Sequence, residues 1–480
     1  MTTQHRTACD PLPAACDVLV VGSGNAGFVA AISAVQSGAE HVLLIDKCPD
    51  EWVGGNTYFT AGAYRTTHSG LPDLLPMVNN VDHETAQKLS SALTLKQTSM
   101  PTWKKFVMAA QMPSSPAFWS GNQMIRSSLV ADLRKAALAH GVRTSWNTAL
   151  VDLQPPRRMG DEIIAMVNNA GKETAIRAQA IILAAGGFES NPRMRGQFLG
   201  PDWTRAMVRG TPYNTGDCLE IAMSRLDAQP YGDWSGCHAV AWDANANPSM
   251  GDRVASNEHT KSGYPLGLML NTDGRRFVDE GADLRNYTYA EYGRAVPGQP
   301  DHVAFQVWDS RVASMLRSEE YREERVERIT ANSIEELSEK CLARGLRNRA
   351  NFVQTIRDYN EAGWVIDLVV IEECRPSEDE LGPSTGQRSL PRSEGYLRDH
   401  VHFWRTQTVG SPTSQIINSI NGKPIPGFYC CGEMLGGLFY HNYPGGSGLT
   451  SGAVFGRRAG QAAARRVLAI RQGRSYPGKL

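Results

Sequence analysis

The chain has 480 residues, with 49 Lys+Arg set against 49 Asp+Glu and a formal net charge of +0. That length suits about two or three domains, each able to bury its own core, and the charge balance argues against a nucleic-acid partner or attraction to an acidic membrane surface. The opening residues, MTTQHRTACDPLPAAC, hold no apolar core of signal-peptide length, and no apolar run approaches the ~18 residues needed to span a bilayer. Nine cysteines are scattered without a CxxC pair, and the adjacent Cys430 and Cys431 sit in an apolar run. This pattern suits a reducing compartment and no disulfide framework, so a cytoplasmic location is expected.

The first legible unit is CDVLVVGSGNAGFVAAISAVQSGAEHVLLIDK. An apolar strand, Asp17 to Val21, runs into a turn with Gly22, Gly24 and Gly27 in GxGxxG spacing. An Ala/Val-rich helix follows to about Ser37, and a second strand from His41 to Ile45 ends at Asp46. The glycines allow a tight turn, approach of the backbone to a pyrophosphate, and close helix–strand contact. The helix N-terminus, with Asn25 and Ala26, offers N–H groups and a positive dipole end to phosphates. Asp46 can accept ribose hydroxyls, and Lys47 follows it. Strand, turn, helix, strand and acid in this order predict a dinucleotide site.

Further glycine-rich pieces decide which dinucleotide. GGNTYFTAGAYR supplies Gly54, Gly55, Asn56, Thr57, Ala61 and Gly62; AIRAQAIILAAGGFESN ends an apolar strand in Ala184, Ala185, Gly186 and Gly187. PGFYCCGEMLGG ends a strand at Gly432 and Glu433, and a helix begins soon after, near Gly448 and Leu449. That helix start can face a flavin pyrimidine and stabilise negative charge on reduction. Four separated pieces converging on one long cofactor favour FAD over NAD.

Together VVGSGNAG, GGNTYFTAGAYR, LAAGGFESN, NTGD, DGRRFVDEGADLRNYTYA and GEMLGGLFYHNYPGGSGLTSGAVFGR resemble the succinate dehydrogenase/fumarate reductase flavoprotein superfamily, with the nearest likeness to its tricarballylate dehydrogenase branch. The resemblance covers most of residues 16–362 and 416–470. It implies an α/β fold: a Rossmann-like FAD-binding domain in two sequence pieces, 16–236 and 411–470, with an α+β cap (substrate) domain inserted at 237–410. It implies further cofactor contacts at Ala149 and Leu150 and at Asn214, Thr215, Gly216 and Asp217 of NTGD. In the cap, SIEELSEKCLARGL opens with a Ser333…Glu336 capping box, and NRANFVQTIRDYNEA is also helical by apolar spacing. Succinate dehydrogenases carry a flavin-linked histidine where this chain has Asn56, so FAD is expected to bind non-covalently.

The resemblance also implies chemistry: a dehydrogenase that forms a C=C bond beside carboxylates by hydride transfer to flavin N5, with a base for the adjacent proton and fixed donors for the carboxylates. Arg285, in DEGADLRNYTYA, lies within one residue of the family's catalytic arginine; His238, in WSGCHAV, matches a carboxylate-binding histidine. His441 and Tyr443 precede Gly445 and Gly446. Fumarate reductases have an arginine where Tyr443 stands, and tyrosine cannot clamp a carboxylate bidentately. This favours a larger polycarboxylate, or a ketone- or ester-activated substrate processed by a desaturase or reductase of the same fold, over fumarate itself. The Glu/Arg proton relay of fumarate reductases is not evident in NEHTKSGYPLG. No metal site, haem-binding CxxCH or iron–sulfur cysteine cluster is apparent, so a small acid substrate and a separate electron acceptor are the expected partners.

YLRDHVHFWRTQTVGSPTSQ, Tyr396 to Gln415, has neither period 2 nor period 3.6. The family's cap should return through a PKSNWA-like turn and an FTFGGL-like strand. HVHFWRT can be encoded so that reading one base later gives MFTFGGL, and SEDELG, read in the same shifted frame, can give PKTNWA. Residues from about 364–376 to about 410 therefore read as translated out of frame, with a divergent surface loop as the alternative. A genuine segment of this kind would imply an impaired or inactive member.

Overall fold

The computed structural model describes residues 11–60, 63–67, 106–110, 123–156, 161–246, 253, 258–283, 285–324, 326–373, 414–439 and 446–473. These form two compact units, one built from Met1–His238, Pro248–Asn257 and His400–Leu480, the other from Ala239–Asn247 and Glu258–Asp399.

The first unit is organised by a mixed sheet. Strands β1 (Ala15–Val21), β2 (Val42–Ile45), β5 (Arg143–Ser145), β6 (Thr148–Gln154), β7 (Ile163–Asn169), β8 (Lys172–Leu183), β11 (Gln415–Ile417) and β12 (Pro424–Cys430) belong to it; β3 (Ala63–Thr67) and β4 (Phe106–Ala110) form a separate antiparallel pair. The main path runs β11-β12-β8-β1-β2-β5, with β7 pairing β8 and β6 pairing β7. β1 is parallel to both β2 and β8, and β12 is parallel to β8. Central parallel strands are covered on both faces, so they read as continuous apolar runs instead of alternating ones. Val18, Leu19 and Val20 are all fully buried as a result.

On one face of β1, Val18 and Val20 pack with Ala30, Ala31 and Ala34 of helix α1 (Asn25–Gln36) and with Ala459, Ala462, Ala463 and Val467 of the last helix, α10 (Ser447–Arg471). On the other, Leu19 and Val21 join Leu153, Val167, Ile181, Leu219 and Ala222. Asp17 ties the assembly at its edge. Its carboxylate accepts from Glu40 N and His41 N, at 2.9 and 2.8 Å, and pairs with Arg471 at 2.9 Å near the end of α10.

The second unit holds an antiparallel pair, β9 (Leu268–Asn271) with β10 (Ala304–Val307), and helices Arg285–Ala295, Ile334–Leu342 and Arg349–Glu373. Leu268, Leu270, Cys341, Leu346, Phe352 and Ile356 form its core. The Ser333 hydroxyl caps the second of these helices by accepting from Glu336 N at 3.1 Å. The Glu336 carboxylate returns to Asn332 N at 2.9 Å, one residue earlier than a reciprocal capping box would place it. The aperiodic stretch at 396–413 lies outside the described residues, as does most of 364–410; the third helix reaches Glu373. Among the described residues no helix is long and apolar enough to cross a membrane, and no cluster of His, Cys, Asp and Glu is arranged to hold a metal ion.

Candidate functional site

The turn after β1 opens a long cleft in the first unit. Its wall is assembled from six separated parts of the chain: Gly22–Ala26, Asp46–Cys48 with Trp52, Gly55–Thr57, Thr148 with Leu150, Ala184–Gly186 with Thr211–Leu219, and Gly432–Glu433 with Gly448, Leu449 and Gly452. The empty space amounts to ≈ 1230 Å³, open solvent at its mouth included.

Local chemistry explains each wall. Two helices, α1 and α10, present their first turns to the cleft, and neither has a capping side chain or an acidic residue there. Both ends therefore keep their positive pole turned to the cleft. Asn25 locks them together: its N–H donates to Thr57 Oγ1 at 2.8 Å, and its Nδ2 to Leu449 O at 2.8 Å. At the other end, Asp46 Oδ2 accepts from Ser23 N and Ser23 Oγ at 2.7 and 2.6 Å, and its Oδ1 accepts from Cys48 N at 2.9 Å. Lys47 Nζ donates to Thr215 Oγ1 and Asp217 Oδ2. Burial opposes ionisation of Asp217, but the Lys47 and Thr215 bonds outweigh it and hold the carboxyl below its ordinary value.

A third set of contacts centres on Glu189. Its Oε1 accepts from Asn56 Nδ2 and from Asn214 Nδ2, both at 2.6 Å. Asn56 Oδ1 in turn accepts from Thr211 N at 2.9 Å. One carboxylate thus joins the Gly55–Phe59 turn, the 211–217 loop and the segment leaving β8.

Of the residues expected to face a cofactor, Gly22, Gly24, Asn25, Ala26, Asp46, Lys47, Gly55, Asn56, Thr57, Leu150, Ala185, Gly186, Asn214, Thr215, Gly216, Asp217, Glu433, Gly448 and Leu449 line this cleft. Four do not. Gly27 sits behind the turn, where a Cβ would lie 1.9 Å from Gly22 O. Gly54 faces the Val130 side chain, and Gly187 faces Glu189. Ala149 falls between Thr148 and Leu150, both of which line the cleft; side chains alternate along a strand, so it points the other way. Ala61, Gly62, His441 and Tyr443 lie outside the described residues.

The remaining site candidates sit elsewhere. His238 is half-buried in the first unit and is absent from the cleft lining. Arg285 belongs to the second unit, where its Nη1 donates to Ser262 Oγ at 2.8 Å and Ser262 is held by Glu320 Oε2 at 2.6 Å. Sequence reasoning missed Ser23, Cys48, Trp52, Thr148, Thr211, Tyr213 and Glu189. Ser23, Cys48, Thr148 and Tyr213 are chain neighbours of expected residues, whereas Trp52 carries no local signal.

The FAD binding domain family matches residues 17–71 and 84–449 of this chain. The chain belongs to that family. Within it, the flavoprotein falls in the fumarate reductase/succinate dehydrogenase superfamily and is an FAD-dependent oxidoreductase acting on CH–CH groups. It is similar to a probable fumarate reductase of Shewanella frigidimarina, 25% identical over 94% of this chain and 75% of the relative. It is also similar to a urocanate reductase of Eggerthella lenta, 24% identical over 93% of this chain and 74% of that one. Its fold matches the crystal structure of a 3-ketosteroid-Δ4-(5α)-dehydrogenase from Rhodococcus jostii with a TM-score of 0.60 and 19% identity, covering 96% of this chain and 99% of the other. The flavoprotein's cleft fits the FAD that the family implies: the glycine turn leaves no room for a Cβ, two uncapped helix starts face one cavity, and an acid stands at the end of β2.

Proposed function

We propose that the flavoprotein interconverts a carbon–carbon single bond and a double bond beside a carboxylate in a small acid. The observation that carries this is the cleft itself, a cavity fitting FAD, in a chain similar over more than nine-tenths of its length to a probable fumarate reductase and a urocanate reductase. Bound FAD supplies the hydride acceptor or donor. The Gly22 turn and the start of α1 hold the pyrophosphate, Asp46 takes the ribose hydroxyls, and the start of α10 stabilises negative charge at the far end. Arg285, whose Nη1 donates to Ser262 Oγ, moves the proton at the carbon next to the hydride carbon. His238, His441 and Tyr443 hold the substrate's carboxyl groups.

The test is turnover of the FAD-loaded protein with tricarballylate and succinate plus an artificial acceptor, and with fumarate, urocanate and aconitate plus reduced viologen. One of these acids should turn over, and Arg285→Lys should lower that rate by roughly 10²–10⁴-fold, the range of a lost acid or base, with flavin content unchanged. Wild-type rates in this variant would remove Arg285 from the mechanism.

A second reading, oxidation or reduction next to a ketone, is favoured by Tyr443 where fumarate reductases have arginine. Cyclic enones turning over while every acid fails would establish it in place of the first.

FAD is held non-covalently in this reading. Asn56, at the position of the flavin-linked histidine in succinate dehydrogenases, is an amide whose nitrogen donates to Glu189 and whose oxygen accepts from Thr211 N. An amide nitrogen is not a nucleophile. Acid precipitation of the purified protein should therefore leave all yellow colour in the supernatant; flavin retained in the pellet would contradict this.

A further inference from the structure

We propose that Glu189, one layer behind the wall of the cofactor cleft, is a redox-linked proton acceptor, binding one proton from solvent as the cofactor receives two electrons. The inference rests on the reading that this cleft holds FAD.

Three features carry it. First, the Glu189 carboxylate is held by neutral groups: the two amides of Asn56 and Asn214 donate to Oε1, and both amides line the cleft. Amide donors favour the charged form without fixing it as an ion pair would, so the group keeps the capacity to titrate. Second, the nearby cation is committed elsewhere. The guanidinium of buried Arg195 donates to the main-chain oxygens of Trp203, Thr204, Ala206 and Glu189, and not to the carboxylate. Third, a like charge lies nearby: Glu433 lines the cleft onto which the two amides open, and its charge acts on Glu189. Among the described residues, the charges of Arg195 and Glu433 act on Glu189 from the elements around it.

The balance of these groups places Glu189 where protons exchange near neutrality. Partial burial pushes its carboxyl up to about 7, and Glu433 adds to the rise, against hydrogen bonds from its backbone and from the Asn214 and Asn56 amides. Two electrons added to a cofactor bound in the cleft these amides line would bring negative charge toward Glu189 and raise its proton affinity further. Linkage then sets the sign. Below about pH 7 the carboxyl is protonated before and after reduction, and nothing changes. Above that, and up to the raised value in the reduced protein, reduction binds one additional proton. The electrons come from the reductant or the oxidised substrate, the proton comes from water, and the only bond formed on Glu189 is the carboxyl O–H.

The measurement is a mediated potentiometric titration of the FAD-loaded protein and of Glu189→Gln across neutral and mildly alkaline pH. The wild type should take up one more proton per two electrons than the variant above about pH 7, and the two should run parallel below it. Parallel lines throughout would overturn the proposal. So would loss of the extra proton in Glu433→Gln with its retention in Glu189→Gln. Should Glu189→Gln not retain flavin, the reduced-minus-oxidised infrared spectrum of the wild type decides at mildly alkaline pH. A new protonated-carboxyl C=O band that shifts in D₂O is expected, and its absence would overturn the proposal. A wild-type chain that binds no FAD sinks the cofactor reading before any potential is measured; a loaded chain with parallel lines sinks the proton proposal alone.

Discussion

Replacing Gly22 with valine should give a protein that purifies without flavin. Gly22 has φ +111°, a left-handed conformation that side-chain-bearing residues rarely adopt. A Cβ there would sit 2.3 Å from Ala184 O and 2.9 Å from Ala185 Cα, both main-chain atoms that cannot swing aside. Across the same turn, the Gly27 backbone approaches Gly22 O so closely that any widening here separates the turn from α1. Left-handed strain alone is worth about 1–3 kcal/mol, and relieving the overlap must move either the turn or the β8 exit, both of which line the cleft. FAD affinity should fall by at least about 100-fold, equivalent to roughly 2.7 kcal/mol. Flavin absorbance per polypeptide, followed by titration of the apoprotein with FAD, measures the loss. A Gly22→Val protein with full flavin would show that the cofactor does not use this turn.

The second large effect is expected at the contact of α1 with α10. Gly452, Gly456 and Gly460 recur every four residues and so share one face of α10. That face lies on the α1 backbone: a Cβ at Gly460 would be 2.3 Å from Ala30 O and 2.9 Å from Ala34 N. Gly460→Leu must push the helices apart or displace β1, which both of them cover. Overpacking of this kind costs about 3 kcal/mol or more, enough to lower Tm by roughly 5–10 °C. Because Gly452, one turn beyond Leu449, also lines the cleft, flavin affinity should fall with stability. Arg465→Ala, on an exposed part of the same helix, should change Tm negligibly. Thermal melts of the two variants side by side provide the check; an unshifted Gly460→Leu would mean that the seam is looser than this packing.

Much of the architecture was legible along the chain because it is written in local patterns. The apolar run Asp17–Val21, the glycine turn, the alanine-rich helix and the strand ending at Asp46 appear in the structure within a few residues of where the pattern puts them. Backbone conformation there follows from the φ freedom of glycine and from burial on both faces of a parallel strand, properties of residues a few positions apart. Alternation along β6 turns Ala149 to the face opposite Thr148 and Leu150, a separation that follows from strand register.

What the linear order could not decide is which distant segments share one charge or one wall. Asn56 and Asn214 are 133 and 25 residues from Glu189, yet both donate to the same oxygen. Nothing in GGFESN says whether its glutamate faces solvent, an arginine or a pair of amides. That depends on the parallel pairing of β8 with β1 and β12, which brings the ends of three strands to one edge of the cleft. The same pairing makes Trp52 and Tyr213 neighbours, with ring centroids 5.9 Å apart, although 161 positions separate them in the chain. Strand, turn and helix were set by the sequence because their energetics are local. The environment of Glu189 was decided only when the tertiary fold half-buried that carboxyl and chose its partners.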